Sequence, residues 1–333
     1  MAIAALAAVG GFVPTAHAVF PGANGRIAFA AVSWASGCGD CDPSTTGWTA
    51  ARGARPAAIS YRASQPTFSP DGSRLAFAQS GDIYVARPDG SRRRALTRGF
   101  YQYDSEPAWS PRGDKLAFSR YGRGLFVVGT RGGTPRRLFS TNSETSDLAW
   151  APSGAELAFA EYGLSGEDAV IRGVALDGTL RELGSGWHVS WSAAGWLAYE
   201  RADGLFVAHP GSAAERRLVP FVQRPLDFVY DYVEPRIYSW SPEGERIAFA
   251  RGGRIHVARA AGGTARPITS RGACCPQWSP DGRLVAFVRG RRILAVPARG
   301  GRSRLFTRVP GAGCPDCDEW VADLDWQARP SNR

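Results

Sequence analysis

The chain has 333 residues, of which 44% are hydrophobic and 11% aromatic, enough to bury a large core, which excludes wholesale disorder. Its 40 glycines and 23 prolines favour turns and short strands over long helices. The 40 basic and 30 acidic residues give a net charge of +10; because the basic residues are almost all arginines scattered as short pairs, we attribute this charge to compositional bias and do not expect nucleic-acid binding.

The N-terminal segment is uncharged and mostly apolar from Ala2 to Val13, and it ends in Ala16-His17-Ala18. This small-x-small pattern is typical of a signal peptide, which we predict over residues 1–18 with cleavage after Ala18, although no basic residue precedes the apolar run. The segment is shorter than the roughly 20 apolar residues that span a bilayer, and no other segment approaches that length. We therefore expect an exported protein, periplasmic or extracellular, in a compartment where disulfides form.

A repeated motif follows along most of the chain. Residues 65–77 (QPTFSPDGSRLAF) and 106–118 (EPAWSPRGDKLAF) are the clearest copies, with further copies near residues 150, 240 and 278 and a degenerate copy near residue 191. Each copy has an aromatic anchor before its turn: Phe68, Trp109, Trp150, Trp191, Trp240, Trp278 and, at the end, Trp326. Self-similarity at a period of about 40 residues is typical of repeat architectures.

Each repeat divides into four predicted strands. The anchor strand comes first, and Ser-Pro-Asp-Gly then fits a type I turn with Pro at its second and Gly at its fourth position. Leu-Ala-Phe-Ala forms a second strand that is apolar on both faces, as expected between neighbouring sheets. A third strand, a glycine-containing turn and an arginine-bearing fourth strand complete the repeat. Four strands in about 40–45 residues, repeated, predict an all-β fold, a single β-propeller.

The number of second-strand motifs favours seven blades. The chain starts at a second strand and ends at a lone first strand, residues 323–326. The C-terminal strand should therefore complete the N-terminal blade and close the ring, which leaves no free edge within it. Six blades is the alternative, should residues 190–220 not form a regular blade.

The Trp-Ser-Pro-Asp-Gly and Leu-Ala-Phe repeats resemble the WD-like propeller repeats of the TolB family, and they are similar to the propeller domain of prolyl-oligopeptidase-type peptidases. The resemblance covers about residues 24–326 and implies a repeat class rather than an activity. TolB proteins carry an α/β domain before the propeller, for which we predict no counterpart here. The peptidases carry a hydrolase domain with a Gly-x-Ser-x-Gly elbow, and this sequence has no such motif.

The sequence has six cysteines, which the propeller topology should gather at one face near the ring closure: Cys38, Cys41, Cys274, Cys275, Cys314 and Cys317. In an exported chain an even number favours a disulfide staple across the closure. The alternative is zinc held by the two Cys-x-x-Cys pairs. Fifteen pairings are possible for six cysteines, and the sequence does not choose among them.

The residue three positions before each anchor is expected at the mouth of the central channel, where propellers usually bind ligands. Five of these seven positions carry polar side chains suited to binding: Gln65, Glu106, Asp147, His188 and Asp323. Such a ring can hold a cation such as calcium or present acids to a substrate. The alternative is a solvated rim without a ligand, which is common at protein surfaces.

A longer connection, residues 221–234, accounts for the 49-residue spacing from Trp191 to Trp240. It contains a mixture of aromatic and acidic side chains, a composition common at recognition surfaces: Phe228, Tyr230, Asp231 and Tyr232. The segment is either a binding loop or a cover over the junction of blades 5 and 6.

The sequence thus predicts a single propeller domain over residues 19–333, monomeric and without a transmembrane segment. We expect a TolB-like scaffold without catalytic activity or cofactor, which binds a protein, a peptide or an envelope polymer. One alternative is a propeller hydrolase or lactonase with a calcium ion over the channel. The other is an interaction module that binds zinc through its cysteines.

Overall fold

The computed structural model describes residues 19–33, 44–99, 102–163, 169–210, 215–220, 237–310 and 319–330. These ranges form seven antiparallel sheets of four strands each, arranged as the blades of a β-propeller. No helix within them is long and apolar enough to cross a membrane. The predicted all-β class and the seven-blade count are confirmed, and the degenerate repeat near Trp191 forms a regular blade.

The strands are numbered in chain order. The first three blades contain β1 (Ala23–Ser33), β2 (Ser44–Ala50), β3 (Ala57–Tyr61), β4 (Ala63–Phe68), β5 (Leu75–Gln79), β6 (Asp82–Ala86), β7 (Arg94–Ala95), β8 (Asp104–Trp109), β9 (Lys115–Arg120), β10 (Gly124–Gly129) and β11 (Arg136–Phe139). Blades 4 and 5 contain β12 (Thr145–Trp150), β13 (Glu156–Tyr162), β14 (Ala169–Ala175), β15 (Leu180–Ser185), β16 (Trp187–Trp191), β17 (Leu197–Arg201), β18 (Gly204–Ala208) and β19 (Glu215–Pro220). Blades 6 and 7 contain β20 (Tyr238–Trp240), β21 (Arg246–Arg251), β22 (Arg254–Arg259), β23 (Arg266–Pro267), β24 (Cys274–Trp278), β25 (Leu284–Arg289), β26 (Arg292–Pro297) and β27 (Arg304–Arg308).

The last strand, β28 (Glu319–Arg329), closes the ring. It pairs antiparallel with β1 and supplies the innermost strand of blade 1, in the order β28-β1-β2-β3. The Nε2 amide of Gln327 also donates to the Gly72 carbonyl of blade 2 at 2.6 Å. The predicted closure by the C-terminal strand is therefore confirmed.

The core lies between the blades because the second strand of each blade is buried on both sides. Phe77, Phe118, Phe159, Phe249 and Phe287 occupy equivalent second-strand positions and have no solvent exposure. Both faces of such a strand pack against neighbouring sheets, which explains its continuous apolar sequence. The turn that precedes it has the predicted form, since the amide of the turn glycine donates to the carbonyl three residues before it.

The aromatic anchors also join neighbouring blades by hydrogen bonds. The Trp109 indole donates to the Thr67 carbonyl, and the Trp150 indole donates to the Ala108 carbonyl, each at 3.0 Å. In both pairs the acceptor belongs to the residue before the anchor of the previous blade. These two anchors therefore fill the space between two sheets and also satisfy buried backbone carbonyls.

Arginines of the fourth strands repeat this arrangement at the outside of the ring. Arg94 donates to the Thr130 carbonyl at 3.2 Å, and Arg136 donates to the Leu176 carbonyl at 2.8 Å. Each acceptor lies between the third and fourth strands of the next blade. Part of the arginine content thus has a structural role.

Candidate functional site

The innermost strands run from a face that we call the loop face to the opposite face, the turn face, where the Ser-Pro-Asp-Gly turns lie. Near the loop face, five of these strands contain a β-bulge whose first residue has a left-handed backbone conformation. The residues and their φ angles are Gln65 (53°), Glu106 (56°), Asp147 (61°), His188 (53°) and Cys275 (56°). This conformation is unfavourable for non-glycine residues, so its repetition indicates a specific role of the bulge.

Four of these bulge residues and Asp323 of the closing strand form a chain of hydrogen bonds from blade to blade, which we call the channel chain: Asp323, Gln65, Glu106, Asp147 and His188. Each side chain accepts the backbone N–H of the next member: Asp323 Oδ2 from Gln65 at 3.1 Å, Gln65 Oε1 from Glu106 at 2.8 Å, and Asp147 Oδ2 from His188 at 2.7 Å. The Glu106 carboxyl accepts the N–H groups of Asp147 and Leu148. Gln65, Glu106 and Asp147 therefore each donate their N–H to the previous blade and extend their side chain to the following one.

The sequence-predicted rim residues are thus brought together in the structure, but they are not solvated. Their exposed fractions are 2% for Gln65, 3% for Glu106, 0% for Asp147, 4% for His188 and 9% for Asp323. The alternative of a solvent-exposed rim is wrong, because these side chains are buried among the innermost strands of the ring and are not exposed at its mouth. Sequence spacing located these positions but did not indicate the left-handed backbone.

The electrostatics of the channel chain are dominated by burial. Burial, together with the nearby Asp147 carboxylate, raises the pKa of Glu106 well above its ordinary value. Its Oε2 atom is buried and has no hydrogen-bond partner among the described residues. Burial and the neighbouring Asp147 thus both favour the protonated form of Glu106, since two adjacent buried carboxylates cannot both ionise readily.

Two aromatic hydroxyls and a glutamate extend this polar cluster. Burial raises the pKa of Tyr162 well above its usual range, with a further contribution from Asp147. The Nδ1 atom of His188 lies 3.2 Å from Oε1 of the buried Glu200, and the Tyr238 hydroxyl donates to the His188 carbonyl. His188 is therefore fixed through its N–H, its carbonyl and its ring.

At the turn face, the channel ends in an apolar recess of about 240 Å³. Its walls come from four consecutive blades and include Trp109 and Trp150, and the segment Val19-Phe20-Pro21 forms another side. Val19 is only 4% exposed, and the Gly22 N–H donates to the Pro280 carbonyl at 3.1 Å. Sequence analysis missed this recess, because nothing in the pattern of residues 19–21 places them against the channel.

Two of the six cysteines lie within the described residues, at the loop-face end of β24. Cys274 is exposed, Cys275 is buried, and both are free thiols. A hydrogen bond between the two thiols lowers the pKa of Cys274 and, with burial, raises the pKa of Cys275 well above its usual range. Cys38, Cys41, Cys314 and Cys317 lie outside the described residues, as does the predicted binding loop with Phe228, Tyr230, Asp231 and Tyr232.

No family model matches the sequence, and no curated protein is similar to it. Solved structures, in contrast, match over most of its length. TolB from Acinetobacter baumannii is 17% identical, with 92% of this chain and 67% of that chain covered and a TM-score of 0.50. An oligogalacturonate lyase in complex with manganese is 14% identical, with 87% of this chain and 86% of the lyase covered and a TM-score of 0.59. A puromycin hydrolase is 15% identical, with 89% of this chain and 54% of the hydrolase covered and a TM-score of 0.64.

At these identities the likeness shows the fold, and the predicted resemblance to the TolB propeller is confirmed at that level. The neighbours include enzymes, so the shared fold does not decide activity. Across the part of the chain that the structure describes, no group of three or more His, Cys, Asp or Glu side chains is arranged to hold a metal ion.

Proposed function

We propose that this protein is an exported, TolB-like β-propeller that acts as a non-catalytic scaffold and binds a protein or peptide at the recess of the turn face. The observation that carries the proposal is the use of the polar channel side chains. Gln65, Glu106, Asp147 and Asp323 all accept backbone N–H groups of the next blade. A carboxylate held in this way stabilises the ring and has little freedom to bind substrate or transfer protons.

The recess supports a peptide partner through its size and chemistry. Its volume of about 240 Å³ is below the roughly 300–1,000 Å³ of pockets for drug-sized ligands, and it suits a single large apolar side chain. Its walls are mainly indole, proline and aliphatic groups, with the polar residues Thr67 and Ser192 among them. Apolar anchors with a few polar neighbours are the usual centre of a protein interface.

Export is supported by the packing at the start of the described chain. Val19, the residue after the predicted cleavage site, is buried against the core between blades 6 and 7. A scissile bond next to a buried residue is poorly accessible in a folded protein. We therefore propose that cleavage after Ala18 precedes folding, and that the new N-terminal residues then pack beside the recess.

A disulfide staple at the loop face is supported by the pairing of β1 with β28. Ser33 pairs with Glu319 at the end of the ladder, so the segments that follow Ser33 and precede Glu319, which carry the other four cysteines, attach at one edge. Cys274 lies at the same face of the adjacent blade. In an oxidising compartment this arrangement favours disulfides over zinc.

The experiment places a photo-crosslinking amino acid at Ala193, an exposed position that lines the recess. The matched control carries the same group at Tyr61, which is 61% exposed on the outermost strand of blade 1. We expect a discrete adduct with one secreted or periplasmic protein from Ala193 and none from Tyr61, and binding of that purified protein to the wild type. Equal adducts at both positions, or hydrolysis of ester, lactone or peptide substrates that His188→Gln abolishes, would contradict the proposal.

A further inference from the structure

The positive charge of the chain is concentrated in two adjacent blades. Residues 237–310, which form blades 6 and 7, contain 14 arginines and three acidic residues, for a net charge of +11. The other 259 residues carry 26 basic and 27 acidic residues. Compositional bias, our expectation from the sequence, does not explain such a distribution, because it would spread the excess over all seven blades.

The strand register concentrates this charge further at the loop face. All three acidic residues of the two blades lie at the opposite, turn face: Glu243, Glu245 and Asp281. The loop-face end carries a group of arginines that we call the basic rim: Arg251, Arg254, Arg271, Arg289, Arg292 and Arg308. All of them are exposed except Arg289, which is partly buried and donates to the Ser270 carbonyl of blade 6 at 3.1 Å. The rim is therefore continuous from blade 6 to blade 7.

Within the rim, arginines lie directly opposite one another across the strands. Arg251 pairs with Arg254 in blade 6, and in blade 7 Arg289 pairs with Arg292, which pairs in turn with Arg308. Directly opposed residues project from the same side of a sheet, so the last three form a row at strand spacing, about 4.8 Å. Like charges so placed repel one another and destabilise the sheet.

The other blades avoid this arrangement. Their described strands contain no opposed arginines, and where charges face each other they are of opposite sign, as in Asp104 with Arg120 and Arg172 with Glu182. In the basic rim, Arg254, Arg292 and Arg308 form no ion pair with any described residue. An anion from outside the chain could therefore neutralise these arginines and relieve the repulsion.

We propose that the basic rim binds a linear acidic polysaccharide. A row of guanidinium groups matches a chain with evenly spaced carboxylate, sulfate or phosphate groups, which arginine binds in bidentate fashion. Nucleic acid fits less well, because single-strand binding relies on aromatic stacking and no exposed aromatic side chain of the described residues lies in blades 6 and 7. A membrane surface fits less well, because membrane binding is favoured by exposed apolar side chains beside the basic residues. The exposed Leu305 lies near the turn-face end of its strand, away from the basic rim. This interaction is independent of the recess at the turn face.

The test is a calorimetric titration of the full chain with an alginate dodecamer in calcium-free buffer. The variant Arg292→Gln/Arg308→Gln removes an opposed pair of like charges, so its unfolding temperature should equal or exceed that of the wild type. A loss of binding in this variant therefore cannot be attributed to a loss of folding. The matched control, Arg123→Gln/Arg137→Gln, changes the net charge equally on blade 3, with both side chains exposed.

We expect the wild type and the control to bind alike and the rim variant to bind about tenfold or more weakly. The slope of log affinity against log salt should fall by about two for the two lost contacts. Equal weakening in the control would show that total charge suffices and would overturn the proposal. So would the absence of binding, or tighter binding to a single-stranded DNA of equal charge or to phosphatidylglycerol vesicles.

Discussion

Replacing Glu106 by glutamine removes a buried ionisable group and keeps an oxygen that accepts the N–H groups of Asp147 and Leu148. The pKa of Glu106 is raised in the folded chain, first by burial and then by Asp147. An acid with a raised folded-state pKa keeps its proton in the native state after the unfolded chain has lost it. The unfolding free energy of the wild type therefore falls as the pH rises above the ordinary glutamate pKa, 4.5, and continues to fall up to the folded-state pKa.

The magnitude follows from proton linkage. One proton corresponds to a slope of about 1.4 kcal/mol per pH unit. For each pH unit between the ordinary glutamate pKa and the raised folded-state pKa, Glu106→Gln should therefore gain up to about 1.4 kcal/mol of stability relative to the wild type. Below that pKa the glutamate is protonated in both the folded and the unfolded state, and the pH-dependent advantage of the variant disappears.

The assay is urea unfolding followed by tryptophan fluorescence at a series of pH values between about 4 and 8, over the window set by the raised pKa. The control is Glu245→Gln, which removes one negative charge at an exposed turn of blade 6. We expect the profiles of the wild type and Glu106→Gln to converge at low pH and diverge as the pH rises. Parallel profiles would refute the conclusion that burial in the channel chain raises the pKa of Glu106.

Two further predictions concern the ring closure and the cysteines. Gly72→Ala should lower the unfolding free energy by about 3 kcal/mol or more, because φ is +65° and an added Cβ would lie 1.7 Å from the Ala328 carbonyl oxygen on the closing strand. Gly53→Ala, at a similar φ of +75° in open space, should cost only about 1 kcal/mol, and equal urea midpoints for the two variants would contradict the observed closure. After reduction, Cys274 should react with iodoacetamide faster than Cys275, since its pKa is lowered and it is exposed; equal labelling in a peptide map would disagree with this geometry.

The blades could be predicted from sequence because each repeat carries its own local information. Trp109 and Trp150 mark the first strands, the Ser-Pro-x-Gly pattern sets the turn, and an apolar run such as Leu116 to Phe118 identifies a strand buried on both faces. The closing role of β28 followed from counting strands, since a chain that starts with a second strand needs a first strand from elsewhere. These features depend on spacing, which a sequence shows directly.

The candidate site could be predicted only in part. Spacing gave the positions of Glu106, Asp147 and His188, but their burial depends on a left-handed bulge that has no marker in the sequence. The position of Val19 beside the recess depends on packing between residues far apart in the chain. The uneven distribution of charge along the chain can be counted from the sequence, whereas the cross-strand pairing of Arg292 with Arg308 depends on strand register.

The account of an exported, disulfide-stapled scaffold is tested most directly by mass spectrometry of the non-reduced protein from the exported fraction, under native and denaturing conditions. We predict a chain that begins at Val19, a mass lower by two hydrogens for each disulfide that has formed at the ring closure, and no retained metal. A retained divalent ion with free thiols would contradict the account, because it would indicate a metal-binding module or a metal-dependent enzyme.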